Sequence, residues 1–342
     1  MEQKDKTATI LVTGASGFIG SFIVEKALDL GMEVWAAVRN TSSRRYLTDS
    51  RINFIQLDFS DYDALLNSFR GMKFDYIVHA AGTTKCLHVS DFFETNTKGT
   101  TNLARAVVDS GMPLRKFLFI SSLSVYGAIH EKMPYKNITG SDTPRPNTKY
   151  AQSKLEAEKA LADIAGKNPG RLPYVILQPT GVYGPRERDY FMMAQSIKRH
   201  VDFAAGFKRQ DITFIYVKDL VQAVFLALWN GVNGEKYMLS DGDVYQSSAF
   251  SDLIRKELGN PWVVRITSPI WLLWLITSVS EILSHVTGKV SALNHDKFHI
   301  LKQRNWRSDI TKARNELGYT PEYSLERGVR ETISWYKANN WL

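Results

Sequence analysis

Short apolar blocks separated by amphipathic stretches run through the first half of the chain, and their spacing predicts alternating strands and helices. Ile10-Leu11-Val12 reads as a buried strand, and a helical stretch follows from about Ser21 to Leu30, stopped by Gly31. Glu33–Val38 and Asn53–Leu57 read as further strands, Tyr62–Phe69 as a polar helix and Tyr76–Val78 as a strand. A long helix is expected from about Asp91 to Asp109, ended by Gly111 and Pro113, and then the strand Phe117–Ile120. This rhythm is that of parallel βαβ units, so the fold class expected is α/β, a doubly wound parallel sheet of Rossmann type. The segment from Gly127 to Thr148, with Pro134, Pro144 and Pro146, reads as a loop; a helix Lys149–Ala165 and a strand Tyr174–Leu177 come after it.

Beyond Pro179 the alternation loosens. Short strands are expected near Phe203 and over Ile212–Tyr216, and helices over Lys218–Trp229 and Ser247–Leu258. The expectation is a dinucleotide-binding domain over 1–178 and a smaller mixed C-terminal substrate lobe over 179–342, some of whose segments return to the first domain.

Composition narrows the classes. A chain of 342 residues can bury a full core. One cysteine, Cys86, excludes a disulfide framework, and the polar start Met1–Thr7 carries no visible secretory signal, so a cytoplasmic location is expected. The net charge of +8 comes from scattered basic residues without a long Lys/Arg run, which argues against nucleic acid and suits an anionic cofactor. The most apolar stretch, Pro269–Leu283, is too short and too interrupted by Thr277, Ser278, Ser280 and Glu281 to span a bilayer. It reads as a buried helix, a substrate-pocket wall or a helix in peripheral contact with a membrane.

The segment between the first strand and helix, Thr13-Gly14-Ala15-Ser16-Gly17-Phe18-Ile19-Gly20, carries the first chemistry. Gly14 allows a tight turn, Gly17 leaves room for a phosphate, and Gly20 lets the helix pack on the strand. Unpaired N–H groups at the helix start then face a pyrophosphate, helped by the helix dipole. In NAD-binding sheets an acidic residue ends the second strand and holds the ribose 2′-hydroxyl. Here the strand ends Ala37-Val38-Arg39-Asn40, with Arg44 and Arg45 close behind and no carboxylate. Arg39 can grip a 2′-phosphate, so NADP(H) is favoured over NAD(H). Asp58, after the third strand, is a candidate for the adenine amino group or for a helix cap. His79-Ala80-Ala81-Gly82 ends the fourth strand; its small residues allow the cofactor to pass, and His79 reads as a hydrogen-bonded core histidine.

The second chemistry is Tyr150-Ala151-Gln152-Ser153-Lys154. Tyr150 and Lys154 share a helix face, and an ammonium beside a phenol favours the phenolate. Ser121-Ser122-Leu123-Ser124-Val125-Tyr126-Gly127 ends an earlier strand, where a hydroxyl can orient a substrate oxygen while Tyr150 transfers its proton. No metal site is expected.

Together these motifs resemble the extended short-chain dehydrogenase/reductases, the NAD-dependent epimerase/dehydratase type, over nearly the whole chain. Further matches are Asn96 in Asn96-Thr97-Lys98-Gly99, Gln178-Pro179-Thr180-Gly181-Val182-Tyr183-Gly184-Pro185, Tyr216-Val217-Lys218-Asp219-Leu220 and Asp309–Pro321. The resemblance implies Ser122, Tyr150 and Lys154 as the catalytic set. It implies cofactor contacts from Gly14, Ser16, Gly17, Phe18, Ile19, Gly20, Arg39, Asp58, Phe59, Ala80, Ala81, Gly82, Asn96, Ser121, Tyr150, Lys154, Pro179, Thr180 and Val182. It also implies a homodimer through the helices near Asn96 and Tyr150. Sugar-nucleotide 4,6-dehydratases of this family carry Asp and Glu where this chain has Leu123 and Ser124. The smaller lobe is similar to the 3β-hydroxysteroid dehydrogenase and dihydroflavonol-reductase-like branch, in which Trp271, Leu272, Trp274, Leu275 and Val279 would suit a flat apolar substrate or a membrane surface, or would pack as plain core. The function expected is hydride transfer between a nicotinamide and the carbinol carbon of a bulky, largely apolar alcohol or ketone. A nucleotide-sugar epimerase, with Arg186, Arg188, Lys208, Arg209 and Arg304 as candidate phosphate partners, and a non-catalytic dinucleotide sensor are the alternatives.

Overall fold

Strands β1 (Thr9–Thr13), β2 (Glu33–Val38), β3 (Asn53–Gln56), β4 (Tyr76–His79), β5 (Lys116–Ile120) and β6 (Tyr174–Pro179) form most of one parallel sheet in a computed structural model that describes residues 8–287 and 294–342. Between them run the helices α1 (Phe18–Asp29), α2 (Tyr62–Phe69), α3 (Val89–Phe92), α4 (Gly99–Asp109) and α5 (Lys149–Lys167). After β6 come β7 (Gly181–Tyr183), α6 (Asp189–Lys198), β8 (Val201–Ala205), β9 (Asp211–Ile212), β10 (Phe214–Tyr216) and α7 (Val217–Asn230). Then follow β11 (Lys236–Leu239), β12 (Tyr245–Gln246), α8 (Ala249–Glu257), β13 (Val264–Ser268), α9 (Ile270–Thr287), α10 (His295–Lys302), β14 (Asn305–Trp306) and α11 (Leu325–Ala338). The expectation for Met1–Thr7 lies outside the described residues.

The main sheet has seven strands in the order β11-β6-β5-β4-β1-β2-β3, and every pairing in it is parallel. Side-chain alternation distributes each strand over two cores. Ile10 and Val12 of β1 and Leu118 and Ile120 of β5 face a layer that includes α1, α7 and α11. Leu11, Phe117 and Phe119 face the layer of α2, α4 and α5. Both faces are covered, which explains why these strands read as continuous apolar runs rather than alternating ones.

Strand β11 pairs with β6 and so brings a segment from beyond residue 179 back into the main sheet. The remaining C-terminal strands form small sheets: β10 with β7, β13 with β8, and β12-β9-β14. The helix expected over Asp91–Asp109 is one continuous run whose middle, Phe93–Lys98, is wound as π-helix between α3 and α4. Helix α1 begins at Phe18, earlier than the sequence pattern placed it, because the glycine turn closes directly into the first helical turn.

Candidate active site

Strand order reverses between β1 and β4, and in open α/β sheets the crevice beyond the strand ends at such a point is where ligands bind. Two glycine segments meet there. Gly14 has φ of +68°, and a Cβ on it would lie 2.7 Å from the Ala81 backbone nitrogen, so the turn after β1 packs against the Ala80–Ala81 peptide after β4. A Cβ on Gly20 would lie 2.1 Å from the Gly14 carbonyl oxygen, which leaves no room for any other residue. Gly17 N-caps α1 without a side-chain cap, and the first turn carries no acidic residue. The open N–H groups and the bare glycine backbone fit a dinucleotide pyrophosphate.

These residues line one cavity of about 810 Å³ together with the second motif. Its wall includes Gly14, Gly17, Phe18, Ile19, Gly20, Ala80, Gly82, Ser121, Ser122, Tyr150, Lys154, Pro179, Thr180 and Val182. The carboxylate of Asp296, from α10, accepts the backbone N–H groups of Lys149 and Tyr150 at 3.0 and 2.9 Å, and Thr148 Oγ1 accepts that of Ala151. Three otherwise orphaned donors at the start of α5 are thereby satisfied, which pins Tyr150 in place. Sequence reasoning missed Asp296 because its partners lie nearly 150 residues away.

Burial pushes the Tyr150 phenol up to about 12, and a hydrogen bond with the Ser122 side chain opposes that rise. Ser122 Oγ itself accepts from the Ser124 backbone N–H at 3.2 Å and the Ser124 hydroxyl at 2.9 Å. With its acceptor side occupied, the Ser122 hydroxyl is left to donate. Burial brings Lys154 down to about 8, partly offset by the Glu158 carboxylate. Its Nζ donates to the Ile120 carbonyl at 3.0 Å and lies 4.7 Å from the centre of the Phe119 ring. Desolvation is thus the largest influence on the Tyr150 phenol here.

Asn96 sits in the π-helical stretch, where the extra residue per turn re-aims a side chain. Its Oδ1 accepts Thr83 N–H at 2.8 Å and its Nδ2 donates to Ser153 Oγ and the Thr83 carbonyl. A Cβ on Gly82 would touch both Asn96 Oδ1 and Lys154 Nζ at 3.0 Å. Asn96 thus stands behind the cavity wall, holding the Gly82–Thr83 segment and α5 together. His79 is buried between Thr13 Oγ1 at 2.7 Å and Thr100 Oγ1 at 2.9 Å, and burial lowers it to about 3. It is a neutral core histidine.

Other expected cofactor residues stand away from the cavity wall. Arg39 is exposed, and its backbone N–H donates to Ser42 Oγ in a tight turn. Asp58 is exposed and accepts both the N–H and the hydroxyl of Ser60, which lowers its pKa; the helix cap is Asp61 instead. Ser16 and Ala81 lie within the glycine crossing, and Phe59 packs edge-on against His79.

The far end of the cavity comes from five separate elements, α6, β8, β9, α10 and β14. Met192, Met193, Phe203, Ile212, Ile300 and Trp306 make it largely apolar. Its cations are paired internally: Arg265 with Asp202 and Asp252, and Lys297 with Asp189, which Lys85 also contacts; Glu187 in the same wall accepts the backbone N–H groups of Asp189 and Tyr190. Of the five basic residues considered as phosphate partners, Arg186 binds Ser21 and Glu25, Arg209 binds Asp211 and Arg304 binds Glu131. None of the five is in the cavity wall. Trp271, Trp274, Leu275 and Val279 are exposed, so α9 supplies neither core nor cavity wall with them.

Residues 10–240 match the NAD dependent epimerase/dehydratase family, and the chain belongs to it. It is thus an NAD(P)-dependent enzyme of the extended short-chain dehydrogenase/reductase type. The chain is 25% identical to a probable dTDP-glucose 4,6-dehydratase of Sinorhizobium fredii, over 97% of this chain and 93% of that protein. It is 26% identical to a 3 beta-hydroxysteroid dehydrogenase/Delta 5-->4-isomerase of Mycobacterium tuberculosis, over 96% and 90% of the two chains. The solved UDP-glucose 4-epimerase of Thermotoga maritima shares its fold with a TM-score of 0.78 at 22% identity, covering 97% of this chain and 99% of that one.

Proposed function

We propose that this enzyme transfers a hydride between a nicotinamide and the carbinol carbon of a bulky, largely apolar alcohol or ketone. The observation that carries the reading is the cavity itself. Ser122, Tyr150 and Lys154 sit where the glycine turn and an apolar chamber meet, and every cation in the chamber wall already has an anionic or carbonyl partner. A nucleotide diphosphate brings two negative charges that need free cations or N–H groups; an apolar ring system needs none.

In carbonyl reduction Tyr150 donates its phenolic proton to the substrate oxygen, which Ser122 orients by donating a hydrogen bond. Lys154 holds the ribose and, as an ammonium, stabilises the phenolate left behind. The nicotinamide, when bound, supplies or accepts the hydride. Ser16, Phe18 and Ile19 cradle the pyrophosphate, Pro179, Thr180 and Val182 line the nicotinamide, and Asp58 and Phe59 border the adenine. Arg39 meets a 2′-phosphate, so NADP(H) is the preferred cofactor, with NAD(H) second. Removal of water from a sugar lacks its acid and base here, because Leu123 and Ser124 occupy the places at which the dehydratases carry carboxylates, and both are buried without charge.

Nucleotide-sugar epimerisation is the second reading, favoured by the relatives of that activity. Thermal protection separates the two. With NADPH present, a steroid or flavonoid should raise Tm by several degrees while UDP-glucose does not. Protection by UDP-glucose alone would overturn the apolar assignment.

A further inference from the structure

Helix α9 is built inside out. Its inward positions include Leu273 but also Thr277 and Ser284, both buried. Ile276 is exposed, and the helix's outward positions include Trp271, Trp274, Leu275, Val279, Ile282 and Leu283, all exposed, with Trp271 at 68% and Ile282 at 63%. Spacings of three and four residues place these six on one stripe along an 18-residue helix, about 27 Å long at 1.5 Å per residue. An ordinary surface helix would carry the opposite pattern, and a contiguous apolar stripe of this length marks a contact surface.

We propose that this stripe docks the protein on an anionic lipid surface, with α9 lying in the plane of the interface. A crossing orientation is excluded for the described helices, none of which is long and apolar enough to span a membrane. Helices that lie in the interface combine a tryptophan-rich apolar face with nearby cations, and both are present. Strand β13 runs through Pro269 straight into α9, and Gly206, at the end of the paired strand β8, abuts Ile270. Phe207, 76% exposed, follows Gly206, and Lys208 follows Phe207. Among the described residues the side chain of Lys208 forms no ion pair. The one acid on α9, Glu281, is tied to His295 of α10. The surface is therefore apolar with an unpaired cation, Lys208, beside the start of α9, complementary to an anionic bilayer.

The same region borders the cavity. Phe203 lines it and is 65% exposed, and α10, packed on α9, contributes Ile300 and Leu301 to its wall. Docking through α9 sets the cavity's apolar end beside the lipid.

The test is co-sedimentation of the full chain with vesicles, together with its tryptophan emission. Vesicles of phosphatidylcholine with phosphatidylglycerol should retain the protein and shift its emission to the blue, and phosphatidylcholine alone should retain at least tenfold less. Trp271→Ser with Trp274→Ser should weaken retention at least tenfold while thermal unfolding stays unchanged, since both side chains are exposed. Lys208→Glu should weaken it several-fold and reduce its sensitivity to salt. Absence of retention by anionic vesicles, or retention unaltered by the tryptophan pair, overturns the proposal. So does light scattering that shows a dimer which the tryptophan pair dissociates, since the stripe would then belong to a second copy of the chain.

Discussion

Glu158 accepts the hydroxyl of Ser121 at 2.5 Å, bridging the end of β5 to α5 two helical turns beyond Tyr150. The same carboxylate, fully buried, accepts Gln178 Nε2 at 2.9 Å and Lys236 Nζ at 2.6 Å. One side chain thus ties the strand that carries Ser122, the helix that carries Tyr150 and Lys154, and strands β6 and β11. Its negative charge also supports the ammonium of Lys154. Glu158→Gln should lower the Lys154 pKa below about 8 and shift the alkaline limb of the activity profile to lower pH. Rates measured at pH 6.5 and 8.5 check this; an equal loss at both would mean that Glu158 acts only through packing.

Tyr150→Phe keeps the ring against Phe92 and removes the proton donor. Turnover should fall by at least ~10²-fold, the range of general acid–base catalysis, with dinucleotide affinity within about threefold of wild type. Steady-state kinetics and cofactor titration together measure it, and near-normal turnover would assign the proton to another group.

The exposed guanidinium of Arg39 stands free of any ion pair among the described residues, at the end of β2. Arg39→Asp reverses the charge facing a 2′-phosphate and should invert a preference for NADPH over NADH. Fluorescence titration of both cofactors reads the ratio; equal affinities in the wild type would remove the 2′-phosphate assignment.

Two glycine substitutions should behave oppositely. Gly20→Ala places a Cβ 2.1 Å from a backbone oxygen that has no freedom to move, so about 1–3 kcal/mol of stability should be lost, along with dinucleotide binding. Gly140→Ala meets open space at ordinary φ and should be neutral or slightly stabilising. Urea unfolding of the two variants compares them directly.

Asp241 gives a pH dependence with a definite sign. Burial raises its carboxyl to about 7 although Tyr245 donates to it at 2.8 Å. Between about 4 and 7 the folded state therefore holds more proton than the unfolded chain, and stability falls as pH rises through that window. Asp241→Asn removes this slope. Its Tm relative to wild type should be higher at pH 8 than at pH 4.5, and a difference that is constant with pH would contradict the buried carboxylate.

The sequence by itself determined the first six strands of the main sheet, the glycine turn and the Tyr150 and Lys154 set on one helix face. All of these follow from local rules: period in apolar positions, φ available only to glycine, and neighbours four apart on a helix. Only the tertiary structure decided what surrounds that set. Asp296 caps the catalytic helix, Asp202 and Asp189 neutralise the cations of the chamber, and β11 returns to the main sheet; each joins segments tens to well over a hundred residues apart. It also raises the Tyr150 phenol, since desolvation depends on every atom packed around the ring. Helix α9 shows the limit most directly. Its apolar composition was legible in the chain, but which of its faces turns inward is fixed by what packs against it.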